Sequence, residues 1–81
     1  MKLPRDLTGS DLIGGLCRSW DYRSVHQAGS HVILQTDTPS RHRIAVPVHK
    51  ALRVGTLNNI LRAVANHKRV DRVDILKTLG R

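Results

Sequence analysis

The sequence predicts an α+β fold in which one helix precedes three antiparallel strands and a longer and a shorter helix close the chain. Three observations carry this. Apolar residues recur at helical spacing before residue 20 and after residue 56, and the stretch between is rich in β-branched residues. Turn residues cut that stretch into three pieces of strand length. Helices on one face of such a sheet leave the opposite face open.

The elements follow in order. Thr8 offers a side-chain cap and Asp11, three residues on, completes a capping box. Leu12, Ile13, Leu16, Cys17 and Trp20 then place a first helix over 9–20. Gly14 and Gly15 inside it cost about 1 kcal/mol each relative to alanine, so packing must compensate. Strands are expected over 22–27 and 31–36, with Ala28-Gly29 as the hairpin turn, and Asp37-Thr38-Pro39-Ser40 makes a second turn. The third strand, 43–48, alternates Ile44, Val46 and Val48 against Arg43 and Ala45. Pro47 lacks a ladder donor, which makes this strand an edge or ends it there. Gly55-Thr56 caps a second helix carrying Leu57, Ile60, Leu61 and Val64, and Asn66 ends it in a left-handed conformation. Asp71 starts a short last helix with Ile75, Leu76 and Leu79.

A two-residue turn at Ala28-Gly29 sets Val25 opposite Val32 and His26 opposite His31. Val25, Val32 and Leu34 then face the helices. His26 and His31 lie on the open face with Arg43 nearby, and Ile33 beside them marks a docking surface for a partner.

Composition narrows the function. The 81 residues make one domain, 1–81, whose core must come from Leu, Ile and Val, because Phe is absent and the only large aromatics are Trp20 and Tyr22. Fourteen Lys and Arg against six Asp and no Glu give a net charge of +8, spread along the chain. Such a surface favours a polyanion, RNA foremost, although an acidic protein partner also fits. Two side chains do not make a base-stacking platform, which argues against a single-strand binder of the RRM or OB type. Neither Cys-x-x-Cys nor His-x-x-x-His spacing occurs, so no metal and no cofactor is expected, and no glycine-rich phosphate loop is present. Cys17, the lone cysteine, reads as a buried small hydrophobe in a reducing compartment. No apolar run nears the ~20 residues that span a bilayer, and the start of the chain lacks the apolar region of a signal peptide. A cytoplasmic protein without membrane contact is expected.

Gly29-Ser30-His31 followed by Val32-Ile33-Leu34, then Val46-Pro47-Val48-His49, then Gly55-Thr56-Leu57 through Leu61-Arg62, stand behind a leading helix in a specific order. From Leu12 to Leu79 this arrangement resembles the HicA-type toxins, the small ribonucleases of HicA/HicB toxin–antitoxin pairs. The resemblance implies a double-stranded-RNA-binding-like α-β-β-β-α fold, mRNA cleavage, and neutralisation by a HicB-type antitoxin. It also implies that the histidine directly after Gly-Ser, here His31, is catalytic. Departures occur at Val32, where many members carry a second histidine, at Asp21-Tyr22, where an aromatic usually follows glycine, and at Asn66-His67, where Ala-Gly is usual.

The chemistry is consistent with one histidine. RNA carries its own nucleophile, the 2′-hydroxyl, and a positioned general base contributes about 10² to 10⁴ in rate. Gly29, Ser30, His26 and His49 are candidates to bind the substrate, and Arg43, Lys50 and Arg53 to hold its phosphate. Either His26 or His49 is left to act as the acid. His49 also reads simply as a loop residue that caps the segment after it, and His42 and His67 read as solvated. The rival readings are a non-catalytic RNA-binding module of the same fold and a basic adaptor for an acidic antitoxin.

Overall fold

The computed structural model describes residues 6–79; residues 1–5, where no signal peptide is expected, lie outside them, as do 80 and 81. The elements are α1 (Gly9–Ser19), β1 (Arg23–Ala28), β2 (His31–Thr36), β3 (His42–Pro47), α2 (Val54–Lys68) and α3 (Arg72–Leu76). The three strands form one antiparallel sheet in the order β1-β2-β3. The expected α+β class and element order are thus observed.

α1 starts on the capping box. Thr8 Oγ1 accepts from the Asp11 amide at 3.0 Å, and Asp11 Oδ2 accepts from the Thr8 amide at 3.1 Å. Its buried stripe is Gly9, Leu12, Gly15 and Leu16. Gly15 is required there, because a Cβ would lie 2.5 Å from Leu79 Cδ2 and 3.2 Å from Leu79 Cα. The C-terminal segment therefore packs against the helix backbone, and the Trp20 indole donates to Thr78 Oγ1 at 2.7 Å. Cys17 is exposed, against expectation. One residue beyond Leu16 turns it about 100° off the buried stripe.

The hairpin turn is Gly29-Ser30, not Ala28-Gly29. Gly29 takes the first turn position, where φ is +59°, a conformation two-residue hairpins need and glycine adopts freely. His31 therefore pairs with Ala28 and His26 with Ile33. The register shifts between Ser24 and His26, which lifts Val25 out of the ladder. Val25 is 39% exposed and does not face the helices, and every residue of β1 is exposed. The helices instead cover β2 and β3, where Val32, Leu34 and Thr36 pair with Val46, Ile44 and His42. His31, Ile33 and Gln35, with Pro47, Ala45 and Arg43 opposite them, occupy the other face.

β3 is an edge strand and ends at Pro47, so Val48 is 39% exposed rather than part of the core face. α2 begins earlier than expected: its N-cap is Arg53, two residues before the expected capping pair Gly55-Thr56, which instead lies in its first turn. It also continues past Asn66 to Lys68, where Arg69 takes the left-handed conformation and the Val70 amide reaches back to the Ala65 carbonyl. The extra turn is held from outside the helix, by His67 and Lys68 docking on the β2–β3 turn. α3 starts at Asp71 with a capping box completed by Asp74 and buries Ile75. Among the described residues, no helix is long and apolar enough to cross a membrane.

Candidate active site

His31 leaves the Gly29-Ser30 turn at the first position of the central strand, and its side chain is exposed. It stands at one edge of an open groove of about 540 Å³ lined also by Ala45, Pro47, His49, Leu52, Arg53 and Thr56. Three stretches of chain meet here: the start of β2, the end of β3 with the strap that follows it, and the first turn of α2.

Burial seats the strap and hydrogen bonds orient it. Leu52 is 4% exposed and Leu7 is fully buried, and each such burial is worth about 1.5–3 kcal/mol. The Leu52 amide donates to the Leu7 carbonyl at 2.9 Å, and the Gly9 amide to the His49 carbonyl at 3.0 Å. The Val48 amide donates to the Ser30 carbonyl at 2.7 Å, which ties the end of β3 to the hairpin turn. Gly9 is essential to this seating, since a Cβ on it would lie 2.0 Å from the Pro47 carbonyl oxygen. The first turn of α2 has no side-chain cap, and its Arg53 and Thr56 line the groove.

Three of the expected residues, His31, His49 and Arg53, are brought together. Gly29 and Ser30 form the turn behind His31. His26 lies on the same face of the sheet, but diagonally across the hairpin, about 7–8 Å away at Cβ by ladder geometry, and does not line the groove. Lys50 is exposed on the strap outside it. Arg43, expected close to His31 from the sequence, is not near it. It pairs with Gln35, four residues along β2 from His31 and thus about 13 Å off at ~3.3 Å per residue. Its Nε donates to Gln35 Oε1 at 2.6 Å. Leu52 and Thr56 join the groove without having been anticipated, because only contacts distant in sequence bring them there.

A second group, at the far end of the sheet, corrects the expectation that His42 and His67 are solvated. Their rings stack at 4.4 Å and 15°. His42 Nδ1 shares a hydrogen bond with the Tyr22 hydroxyl at 2.9 Å, and His67 Nε2 lies 2.9 Å from the Ser40 carbonyl. Lys68 Nζ donates to Thr36 Oγ1, Thr38 Oγ1 and the Thr38 carbonyl, and sits 5.2 Å above the Tyr22 ring. Thr38 Oγ1 in turn donates to Asp21 Oδ2 at 2.9 Å. Burial, then the neighbouring His67 and Lys68, hold His42 below the ordinary imidazole range. Burial raises the Tyr22 phenol to about 12 and lowers Lys68, against the opposing pull of Asp21. The group fastens the end of α2 to the β2–β3 turn. It lies five residues along β2 from His31, about 17 Å at the same rise, and so stands apart from the groove.

The groove thus offers two imidazoles, a guanidinium and a hydroxyl around an open slot on a chain of net charge +8. Those groups suit an extended anion with a proton to exchange. Comparison with family models matches residues 16–65 to the one described as the HicA toxin of bacterial toxin-antitoxin. Searches of curated proteins and of solved structures returned no match. The matched span runs from α1 into α2 and contains every groove residue.

Proposed function

The chain belongs to the HicA toxin family of bacterial toxin–antitoxin systems, and from that premise we propose that it is an endoribonuclease that cleaves mRNA in the cytoplasm and is silenced by a HicB-type antitoxin. The observation that carries this reading is the exposed His31 at the edge of a basic groove. In the proposed reaction, His31 removes the proton of a ribose 2′-hydroxyl and the resulting oxygen attacks the adjacent phosphorus. Arg53, through charge-assisted hydrogen bonds, steadies the negative charge that builds on the phosphate oxygens. Lys50, nearby on the strap, adds to the field that draws the RNA in. The nucleophile comes with the substrate, so proton transfer and charge stabilisation suffice and the reaction runs without a metal. His26 and Ile33, on the open face beside His31, extend the surface available to RNA or to the antitoxin. An antitoxin seated there would cover His31 and stop cleavage.

The test is cleavage of mRNA by the purified chain in EDTA. Cleavage that is lost in His31→Ala, with an unchanged circular dichroism spectrum, supports the reading. A metal requirement or full activity of the variant would refute it. Salt-sensitive RNA binding without product, equal in both proteins, would make the chain a non-catalytic RNA-binding module instead.

A further inference from the structure

We infer that His49 is the general acid of the site, the group that hands a proton to the departing 5′-oxygen; this rests on the ribonuclease reading above. Displacement at phosphorus is in line, with the attacking and leaving oxygens on opposite sides. A proton acceptor and a proton donor must therefore face each other across the scissile phosphate. His31 and His49 are the two histidines that line the groove, one from the start of β2 and the other from the strap after β3. His26 has the same chemistry but lies on the opposite flank of His31, on β1, and does not line the groove.

The backbone locks the two groove histidines to one another. The residue before each is joined to the other by the 2.7 Å hydrogen bond from the Val48 amide to the Ser30 carbonyl. The His49 carbonyl is then fixed by the Gly9 amide at 3.0 Å, a contact that no residue with a Cβ could make without displacing Pro47. A loop residue that merely capped the next segment would need no such second anchor to α1. Gly9 is accordingly a positioning residue, acting through His49.

The step balances without a co-reactant. His31 takes the O2′ proton, the O2′–P bond forms, the P–O5′ bond breaks, and O5′ receives the proton of a His49 imidazolium. The products are a 2′,3′-cyclic phosphate and a 5′-hydroxyl. The two histidines end with their protons exchanged, and proton transfer with water restores them.

A substrate whose leaving group needs no proton isolates this role. The probe is an oligonucleotide carrying the cut site mapped on mRNA, made once with the natural linkage and once with sulfur in place of the bridging 5′-oxygen. On the natural linkage, His49→Ala and His49→Gln should each lose about 10²- to 10³-fold in rate, within the range of a positioned acid. On the sulfur-bridged linkage both should match the unmodified protein within a few fold, while His31→Ala stays impaired on both. Equal losses of the His49 variants on the two linkages, or no loss on either, would overturn the assignment while leaving the ribonuclease reading intact. Failure of the unmodified protein to cut either linkage would overturn both.

Discussion

Gly9→Ala is the sharpest perturbation of the link between fold and groove. An ideal Cβ at this position lies 2.0 Å from the Pro47 carbonyl oxygen and 3.0 Å from both Pro47 C and Val48 Cα, whereas ordinary contact begins at 3.4 Å. The first turn of α1 and the end of β3 must therefore separate by about 1.4 Å. Neither neighbour can yield by a side-chain rotation, because the obstructing atoms belong to the backbone. A 3.0 Å hydrogen bond from the Gly9 amide to the His49 carbonyl does not survive that separation. Its loss costs about 0.5–1.5 kcal/mol and the overpacking about 1–3 kcal/mol. The better helix propensity of alanine returns about 1 kcal/mol, which leaves a net loss of about 0.5–3.5 kcal/mol. A chain of this size is expected to have about 4–12 kcal/mol of stability, so the variant should still fold. Cleavage should fall much further, on the order of 10²-fold, because a displacement of about 1 Å at a reacting group has that effect. Urea unfolding and cleavage rate measured on the same preparation test both numbers. Unchanged stability together with unchanged cleavage would show that the strap is not seated on α1.

Three further outcomes follow from the same reasoning. Gly55→Ala meets nothing within 4 Å and needs no special backbone conformation, so it should be neutral or stabilising by up to about 1 kcal/mol in urea unfolding; a clear destabilisation would argue against this start of α2. His42 has a lowered pKa in the folded chain, so the unfolded chain takes up its proton first as pH falls. Its contribution is therefore present above about pH 6.5 and is lost as pH drops through the folded-state value. The urea midpoint should decline over that acid window, less steeply than the ceiling of about 1.4 kcal/mol per pH unit because the ring is part-exposed, and His42→Gln should flatten the decline. Tyr22→Phe removes the hydroxyl that meets His42 Nδ1 and should cost about 1 kcal/mol in the same assay, with cleavage unaffected because the pair is remote from the groove.

The features written locally were legible in the sequence. The capping box at Thr8 and Asp11 and the alternation along β2 and β3 need only neighbouring residues, and both are observed. The hairpin shows how a wrong turn can still yield the right face. Moving the turn from Ala28-Gly29 to Gly29-Ser30 shifts each partner by two positions, and since side chains alternate with period two, His26 and His31 keep a common face. Val25 did not follow because the register shift beside it removes it from the ladder. The end of α2 was misread because Asn66 is a local stop signal, overridden by the docking of His67 and Lys68 on the turn between β2 and β3. The same cross-chain contacts assemble the stacked histidines, which no local pattern announces. In the groove, the place of His31 at the start of β2 was legible. Its company with His49, Arg53 and Thr56 depends on the bonds from Gly9 and Leu52 to partners more than 35 residues away in sequence. The distance of Arg43 followed from strand register and could have been counted in the sequence: four residues along a strand cannot be close.

Identification of the chain ends left by cleavage bears most directly on the role given to His31. Mass spectrometry of fragments from an mRNA digest should find a 2′,3′-cyclic phosphate, or its hydrolysed 3′-phosphate, on one side of each cut and a 5′-hydroxyl on the other. Fragments ending in 3′-hydroxyl and 5′-phosphate would mean that water, rather than the ribose 2′-hydroxyl, attacks the phosphorus, and would contradict the account.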